Sequence, residues 1–312
     1  MSKKTPKNLP ASILQRLKNY SKENDEDFGL TLSRFAIERF IYRLSLSGYA
    51  NQFVLKGAQL FRIWANTPIR PTRDLDLLRF GSADISELIG IFKNVCDIPI
   101  EKPDGIQFLS DTVKAEAIRD QAEYDGIRVK LEYRIGMTGQ YIQVDIGFGD
   151  AITPSSSEIE FPTILEMPKP RMQSYPRETV IAEKIEAMVS LGITNSRMKD
   201  FFDIYILSEK VEFEGLLIQE AIEQTFIRRQ TDIPDGLPIA LTEDFYNDPV
   251  KQAQWLGFLK GYELNRMLED QDFENVVNAI KEFIKPIFES INSGNKITTK
   301  WIPQKGWLYQ TE

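Results

Sequence analysis

The chain has no histidine and a single cysteine, Cys96, among 312 residues. Without histidine there can be no Ser-His-Asp triad, Cys-His pair, H-E-x-x-H zinc site or His-Cys zinc finger. One cysteine cannot close a disulfide within the chain. No run of about 18 uncharged apolar residues is present, so no membrane-spanning helix is expected. The Lys-rich start, Met1 to Asn8, is not followed by an apolar segment of the kind a secretory signal needs. A lone free cysteine suits a reducing compartment, and a cytoplasmic location is expected. Positive charge is also in deficit: 38 Lys and Arg against 46 Asp and Glu leave a net charge of -8. A protein that coats long nucleic acid must neutralise many phosphates, so this balance argues against that role. A short contact with the end of one strand remains open.

These absences confine any catalysis to carboxylates, Lys, Arg, Tyr, Ser and Thr, or to metals held by oxygen. Hard cations such as Mg2+ take oxygen ligands. With 42% apolar and 27% charged residues the composition is that of a globular protein. The length predicts one or two domains with a sizeable core. Basic clusters occur at Lys3, Lys4 and Lys7, at Arg70, Arg73 and Arg79, at Lys169, Arg171 and Arg177, at Arg197 and Lys199, and at Arg228 and Arg229. Each by itself reads as a solvated face.

Helical spacing of apolar residues predicts helices over Leu9–Asn24 and Phe28–Leu46. Phe53-Val54-Leu55 reads as a short strand, Lys56-Gly57-Ala58 as a turn, and Leu60, Phe61 and Trp64 as the helix after it. Pro68-Ile69-Arg70-Pro71 breaks that helix. Asp74–Phe80 reads as a strand and Ala83–Val95 as a helix. From Lys114 to Phe148 the pattern alternates as strands do, with Gly136 and Gly139 marking a turn. A short strand is expected near Ile159–Phe161. After Pro176 the chain reads as helices, at Glu178–Leu191, Met198–Ser208, Glu214–Phe226, Pro249–Tyr262 and Phe273–Ile291. The fold class is α+β, with an α+β domain over 1–170 and a helical domain over 171–312.

Four elements carry chemistry. In Arg70-Pro71-Thr72-Arg73-Asp74-Leu75-Asp76-Leu77, alternation on a strand projects Asp74 and Asp76 together, with Leu75 and Leu77 toward the core. Adjacent carboxylates repel unless a cation lies between them, and Mg2+ is commonly held by one or two carboxylates plus substrate phosphates. The bland alternative is a surface strand with two solvated aspartates. Gly57 lets backbone approach a ligand, and the amides that follow could hold a phosphate; an ordinary strand-to-helix turn wants the same glycine. In Gln143-Val144-Asp145-Ile146-Gly147-Phe148-Gly149, Asp145 faces away from Ile142, Val144 and Ile146. Pairing of this strand with that of Asp74 and Asp76 would bring three carboxylates to one surface, an arrangement that fits two-metal phosphoryl or nucleotidyl transfer. Asp150 reads as a turn residue. Last, Glu183-Lys184 and Arg197-Met198-Lys199-Asp200-Phe201-Phe202-Asp203 lie on helices, where a Lys199–Asp203 ion pair is the bland reading.

The order and content of these motifs resemble the AbiEii/AbiGii toxins, nucleotidyltransferase-like members of bacterial toxin–antitoxin and abortive-infection (phage-defence) systems. The resemblance implies a DNA-polymerase-β-like nucleotidyltransferase core, with N-terminal helices and a helical C-terminal domain completing the active site. It implies Mg2+ on Asp74, Asp76 and Asp145, with Asp145 assisting the acceptor hydroxyl. It implies NTP held by Lys56, Gly57, Ala58 and Arg73, and a helix pair, Lys184 and Asp200, with Lys184 set against the phosphates. The acceptor implied is RNA, such as a tRNA 3′ end, and a cognate antitoxin encoded nearby is expected. Members often carry Gly-Gly or Gly-Ser at the turn, whereas Gly57-Ala58 offers no hydroxyl. Two other readings stand beside this one. One is a non-catalytic nucleotide- or partner-binding module on the same core. The other is a metal-dependent nuclease, for which Lys130-Leu131-Glu132 has the Glu-x-Lys pattern in reverse.

Overall fold

The structure, a computed structural model, describes residues 8–64, 70–119, 125–264 and 272–309. Lys3, Lys4, Lys7, Pro68 and Ile69 lie outside the described residues. The chain forms two compact units. The first gathers the described residues of 8–63 and 71–149 together with Ser157–Ser174; the second gathers Trp64, Arg70, Asp150–Ser156 and the described residues from Tyr175 onward.

The first unit opens with helices α1 (Leu9–Glu23) and α2 (Phe28–Leu46). The Asn8 side chain caps α1 by accepting from Ala11 N, and Asp27 caps α2 by accepting from Leu30 N at 2.9 Å. Each carboxamide or carboxylate satisfies an amide that the first helical turn leaves open. Then come strand β1 (Phe53–Lys56), the short helix α3 (Phe61–Trp64, whose last residue falls in the second unit), β2 (Asp74–Arg79), helix α4 (Ile85–Cys96), the long strands β3 (Gln107–Arg119), β4 (Asp125–Ile135) and β5 (Thr138–Phe148), and the short β6 (Ser157–Glu160) and β7 (Arg171–Ser174). All seven strands join one sheet in the order β3-β4-β5-β2-β1-β7-β6. β2 runs parallel to β5 and antiparallel to β1.

One face of this sheet is the core. Phe53, Leu55, Leu75, Leu77, Val129, Tyr133, Val144 and Ile146 are all buried. Phe40 of α2 stacks on Phe92 of α4 and meets Phe108 edge-on, which covers that face with rings. The alternate positions form the other face, which is polar along β4 and β5 and at Lys56, Asp74 and Asp76 but also carries the buried pair Val54 and Leu78. β3 begins at Gln107, earlier than the expected Lys114, and its register with β4 shifts between Leu109 and Lys114. β7 was not anticipated; it is four residues long and pairs with β1 through Leu55 and Ser174. Arg79, expected on a solvated face, is buried and donates to Ser82 O and Glu87.

The second unit holds α5 (Arg177–Leu191), α6 (Met198–Lys210), β8 (Phe213–Glu214), α7 (Gly215–Arg229), the one-turn α8 (Glu243–Tyr246), α9 (Pro249–Gly261), α10 (Phe273–Asn292), β9 (Thr299–Ile302) and β10 (Gly306–Tyr309). Its core is aromatic: Phe201 stacks on Phe245 and meets Phe273 edge-on, and Trp255 stacks on Phe273. The helical reading of this half needs one correction. β8, β9 and β10 form a three-stranded sheet, pinned where Trp301 Nε1 donates to Ser208 O at 2.7 Å. Arg229 is likewise not a solvated charge. It is mostly buried and binds Asp150 at 3.2 Å and Glu186 at 2.7 Å, so Asp150 accepts an ion pair as well as ending a strand. Among the described residues no helix is long and apolar enough to cross a membrane.

Candidate active site

In the first unit the strand register assembles the candidate residues. Asp76 lies opposite Asp145, Asp74 opposite Gln143, and Lys56 opposite Asp76 on the other side. Residues paired across strands share a face, and neighbouring strands lie about 4.8 Å apart. Lys56, Asp76 and Asp145 therefore form one row across three strands, with Asp74 on the same face in the next row. The carboxylates are half-buried while Leu75 and Leu77 are fully enclosed, so the core fixes the backbone and leaves the acids facing outward.

The glycine turn meets this row directly. Gly57 has φ +76°, a conformation that side chains disfavour. A Cβ built there would lie 1.9 Å from Asp76 Oδ2, so only glycine allows the turn to approach the carboxylate so closely. Ala58, Gln59 and Leu60 form a single 3-10 turn after it, and Ala58 is buried. Arg73 is exposed and donates to Asp27 Oδ1, the α2 cap, at 3.2 Å.

Asp145 is held by a residue that sequence reasoning missed. Arg128 lies opposite it on β4 and donates from Nε to Oδ1 and from Nη2 to Oδ2, both at 2.8 Å. These bonds raise the guanidinium's pKa above its ordinary value. The alternation of Arg128 and Lys130 against Ile127 and Val129 was the available signal, but pairing Arg128 with Asp145 requires the register.

The other two candidates, Lys184 and Asp200, lie in the second unit on α5 and α6. Lys184 Nζ is 2.6 Å from Asp200 Oδ1 and 2.8 Å from Asp203 Oδ2. Arg197 Nε donates to Asp200 Oδ2 at 2.7 Å, and Arg70 grips both oxygens of Asp203 at 2.8 and 3.0 Å. Both aspartates are fully buried. Burial opposes the charge on Lys184, but Asp200 and Asp203 outweigh it and the ammonium's pKa is raised. Burial likewise opposes the charge on Asp200, and Lys184 and Arg197 overcome it, holding the carboxyl well below the usual range. Asp203 thus turns inward to Lys184 and Arg70, not outward to a surface pair with Lys199. Arg70 and Asp203 are the structural partners that the motifs contained without revealing their roles.

The donor set on the sheet suits a hard divalent cation, since it offers carboxylate oxygens and no nitrogen or sulfur. Among the described residues no three acids form a ready-made cation cage, and Arg128 occupies both oxygens of Asp145. The pair Asp74 and Asp76 beside a glycine turn still fits a metal that shares its coordination with substrate phosphates.

Over residues 39–279, most of its length, the sequence matches the family described as nucleotidyl transferase AbiEii toxin of type IV toxin–antitoxin systems, and the chain belongs to that family. Two solved structures from Helicobacter pylori are similar to it at 18% identity: a candidate nucleotidyltransferase (TM-score 0.45, covering 82% of this chain and 92% of that one) and JHP933 (TM-score 0.46, 82% and 89%). No curated protein matches the sequence.

Proposed function

We propose that this toxin-family protein transfers a nucleoside monophosphate from an NTP to a hydroxyl of an RNA acceptor, such as a tRNA 3′ end, with Mg2+. The observation that carries this reading is the row Lys56–Asp76–Asp145 with Gly57 packed against Asp76. Asp74 and Asp76 would hold Mg2+, which when bound neutralises phosphate charge and favours departure of pyrophosphate. Lys56, Gly57 and Ala58 would cradle the triphosphate through a side-chain charge and backbone amides. Arg73 would add charge at the entry to β2. The acceptor oxygen bonds to the α-phosphorus as the bond to the β-phosphate oxygen breaks, and pyrophosphate leaves. Asp145 would take the hydroxyl proton, with Arg128 fixing the orientation of its carboxylate. Lys184, held charged by Asp200 and Asp203, would act as a fixed cation toward phosphate, the kind of preorganised charge that usually contributes most to catalysis. A nearby gene would encode the antitoxin that limits this activity.

The test is incubation of the purified protein with each labelled NTP, Mg2+ and total RNA or protein. Label on RNA that disappears in Asp74→Asn and Asp76→Asn is the expected result. Absence of label on any acceptor from a folded protein refutes the transferase reading. One observation favours a second reading, a nucleotide-binding module without turnover: Arg128 already occupies both oxygens of Asp145. NTP binding by calorimetry with no transfer to any acceptor would support that alternative.

A further inference from the structure

Beyond the carboxylates, the same sheet face continues as an open groove of about 900 Å³ over β3, β4 and β5. Register places its residues in rows next to the site. Gln143, opposite Asp74, is paired on its other side with Lys130, which is paired in turn with Lys114. One row further out, Tyr141 stands opposite Glu132, and beyond it Arg134 stands opposite Gly139. Lys114, Lys130 and Arg134 are all exposed. Tyr141 is 62% exposed and Met137, at the β4–β5 turn, is fully exposed. The acids lining the groove, Asp111 and Glu132, are outnumbered by its three cations, of which Lys130 also has an exposed pair with Glu116 at 3.9 Å at the groove's edge, although the whole chain is acidic. Lys130–Leu131–Glu132, noticed in the sequence for its reversed nuclease-like order, is part of this surface.

We propose that this groove is the seat of the acceptor strand: a short single-stranded RNA segment lies along β4 and β5, with its phosphates on Lys114, Lys130 and Arg134 and one base stacked on Tyr141. The inference rests on the reading that RNA is the acceptor. Cations that track a backbone beside an aromatic platform are the usual means of holding a single strand without reading its sequence. Strand geometry supplies the direction. Tyr141 is four residues from Asp145 along β5, about 13 Å, so a strand end reaching Asp145 would leave the nucleotides behind it over Tyr141 and the cations. A duplex presents its bases stacked inside and could not use the ring in this way. The small number of cations fits the net charge of -8: a grip on two or three phosphates, not a coat.

The experiment is fluorescence anisotropy of the full chain with a labelled single-stranded RNA oligonucleotide and with its duplex form, alongside the labelled-NTP transfer assay. The parent should bind the single strand more tightly than the duplex, and its affinity should fall with salt at a log–log slope of about -2, from roughly 0.7 per phosphate contacted. The double variant Lys114→Glu/Lys130→Glu should bind at least tenfold more weakly, and Tyr141→Ala about tenfold more weakly while leaving the salt slope unchanged. NTP binding by calorimetry should be unaltered in all of them, since none of these residues belongs to the carboxylate row or the glycine turn. Circular dichroism with a thermal melt establishes that each variant is folded. Two results overturn the proposal: equal RNA binding by parent and variants, or label transfer to a protein acceptor with no RNA binding. The latter leaves the transferase reading intact. Conversely, RNA binding that the variants lose, with no transfer by the parent to any acceptor, upholds the groove and refutes the transferase reading.

Discussion

Two groups of carboxylates in this protein are held in place by opposite means. Asp74, Asp76 and Asp145 sit half-buried on the open face of the first unit's sheet, where backbone pairing between β1, β2 and β5 sets their spacing. Asp200 and Asp203 are fully buried in the second unit, and Lys184, Arg197 and Arg70 set theirs. On the sheet the ladder and the apolar face beneath it do the positioning, so the acids can be exchanged with little effect on the fold. In the helical unit the charges are themselves the scaffold. A buried ion pair adds little over a well-packed apolar substitute, but removing one partner strands the other. The contrast teaches that the sheet acids are placed by backbone register, whereas the buried group is committed to structure even if it also serves chemistry.

The largest effect should come from Lys184→Met. It leaves Asp200 and Asp203 buried with one cation fewer, and urea denaturation should show a loss of about 3–5 kcal/mol. Asp74→Asn and Asp76→Asn, measured the same way, should stay within about 1 kcal/mol of the parent. The pH dependence has a definite sign. Asp200 is more acidic in the folded state than unfolded, so its contribution is present above the ordinary Asp range and is lost as pH falls through the depressed folded value. Lys184→Met should remove most of that acid dependence. Equal stability losses on the sheet and in the helical network would break the comparison.

Glu38 sharpens it, because it is a buried acid within the first unit. It lies on α2, with Arg39 Nε 3.1 Å from its Oε1, and its Oε2 accepts from Ile164 N at 2.7 Å. Burial dominates the attraction of Arg39 and pushes its pKa up to about 7. A raised pKa means the contribution is fully present below the unfolded value, near 4.5, and is lost as pH rises through about 7. Between those values the parent should lose roughly 3 kcal/mol. Glu38→Gln keeps an acceptor for Ile164 and should flatten that part of the curve in a series of denaturation experiments across pH. A parent whose stability is level over the window would show that Arg39 compensates the buried charge in full.

How much of this was legible beforehand follows from the range of the interactions. The period-two pattern put Asp74 and Asp76 on one face and Leu75 and Leu77 on the other, because alternation is local to the strand. Bringing Asp145 beside Asp76 depended on a parallel pairing between distant segments, and sequence reasoning could state that only as a condition. Lys184 and Asp200 came from the family resemblance. The local pattern favoured Lys199–Asp203, since α6 has apolar residues at Phe201, Phe202 and Ile204 and no clean polar stripe. Arg79 and Arg229 were read as surface charges because their partners are supplied by folding; for Arg229 these are Asp150, Glu183 and Glu186, far from it along the chain. β8 has two residues, too few for any periodicity, and takes its strand character from pairing with β9.

Gly57 tests whether the sheet site depends on backbone shape as the comparison holds. Gly57→Ala would place a methyl group against Asp76 and hold a non-glycine residue at positive φ. A cost of about 1–3 kcal/mol is expected, together with loss of NTP binding by calorimetry, while the neighbouring Ala58→Gly should retain NTP binding. Normal NTP affinity in Gly57→Ala would detach the turn from the site.

A small effect on stability is also expected at Arg128. Its pair with Asp145 is bidentate but partly open to solvent, at 31% and 23% exposure. Exposure screens the attraction, so Arg128→Ala should cost no more than about 1 kcal/mol in urea denaturation. This is a fraction of the loss predicted for Lys184→Met, although both changes remove a cation bound to a candidate catalytic aspartate. Function should separate from stability here. If Arg128 orients Asp145, then Arg128→Lys, which cannot reproduce the two-pronged grip, should lower transfer nearly as far as Arg128→Ala and shift its pH profile. If instead Arg128 blocks Asp145, both variants should transfer faster than the parent. A Lys variant indistinguishable from the parent in rate and pH profile would mean that only the charge, and not the geometry, at this position matters.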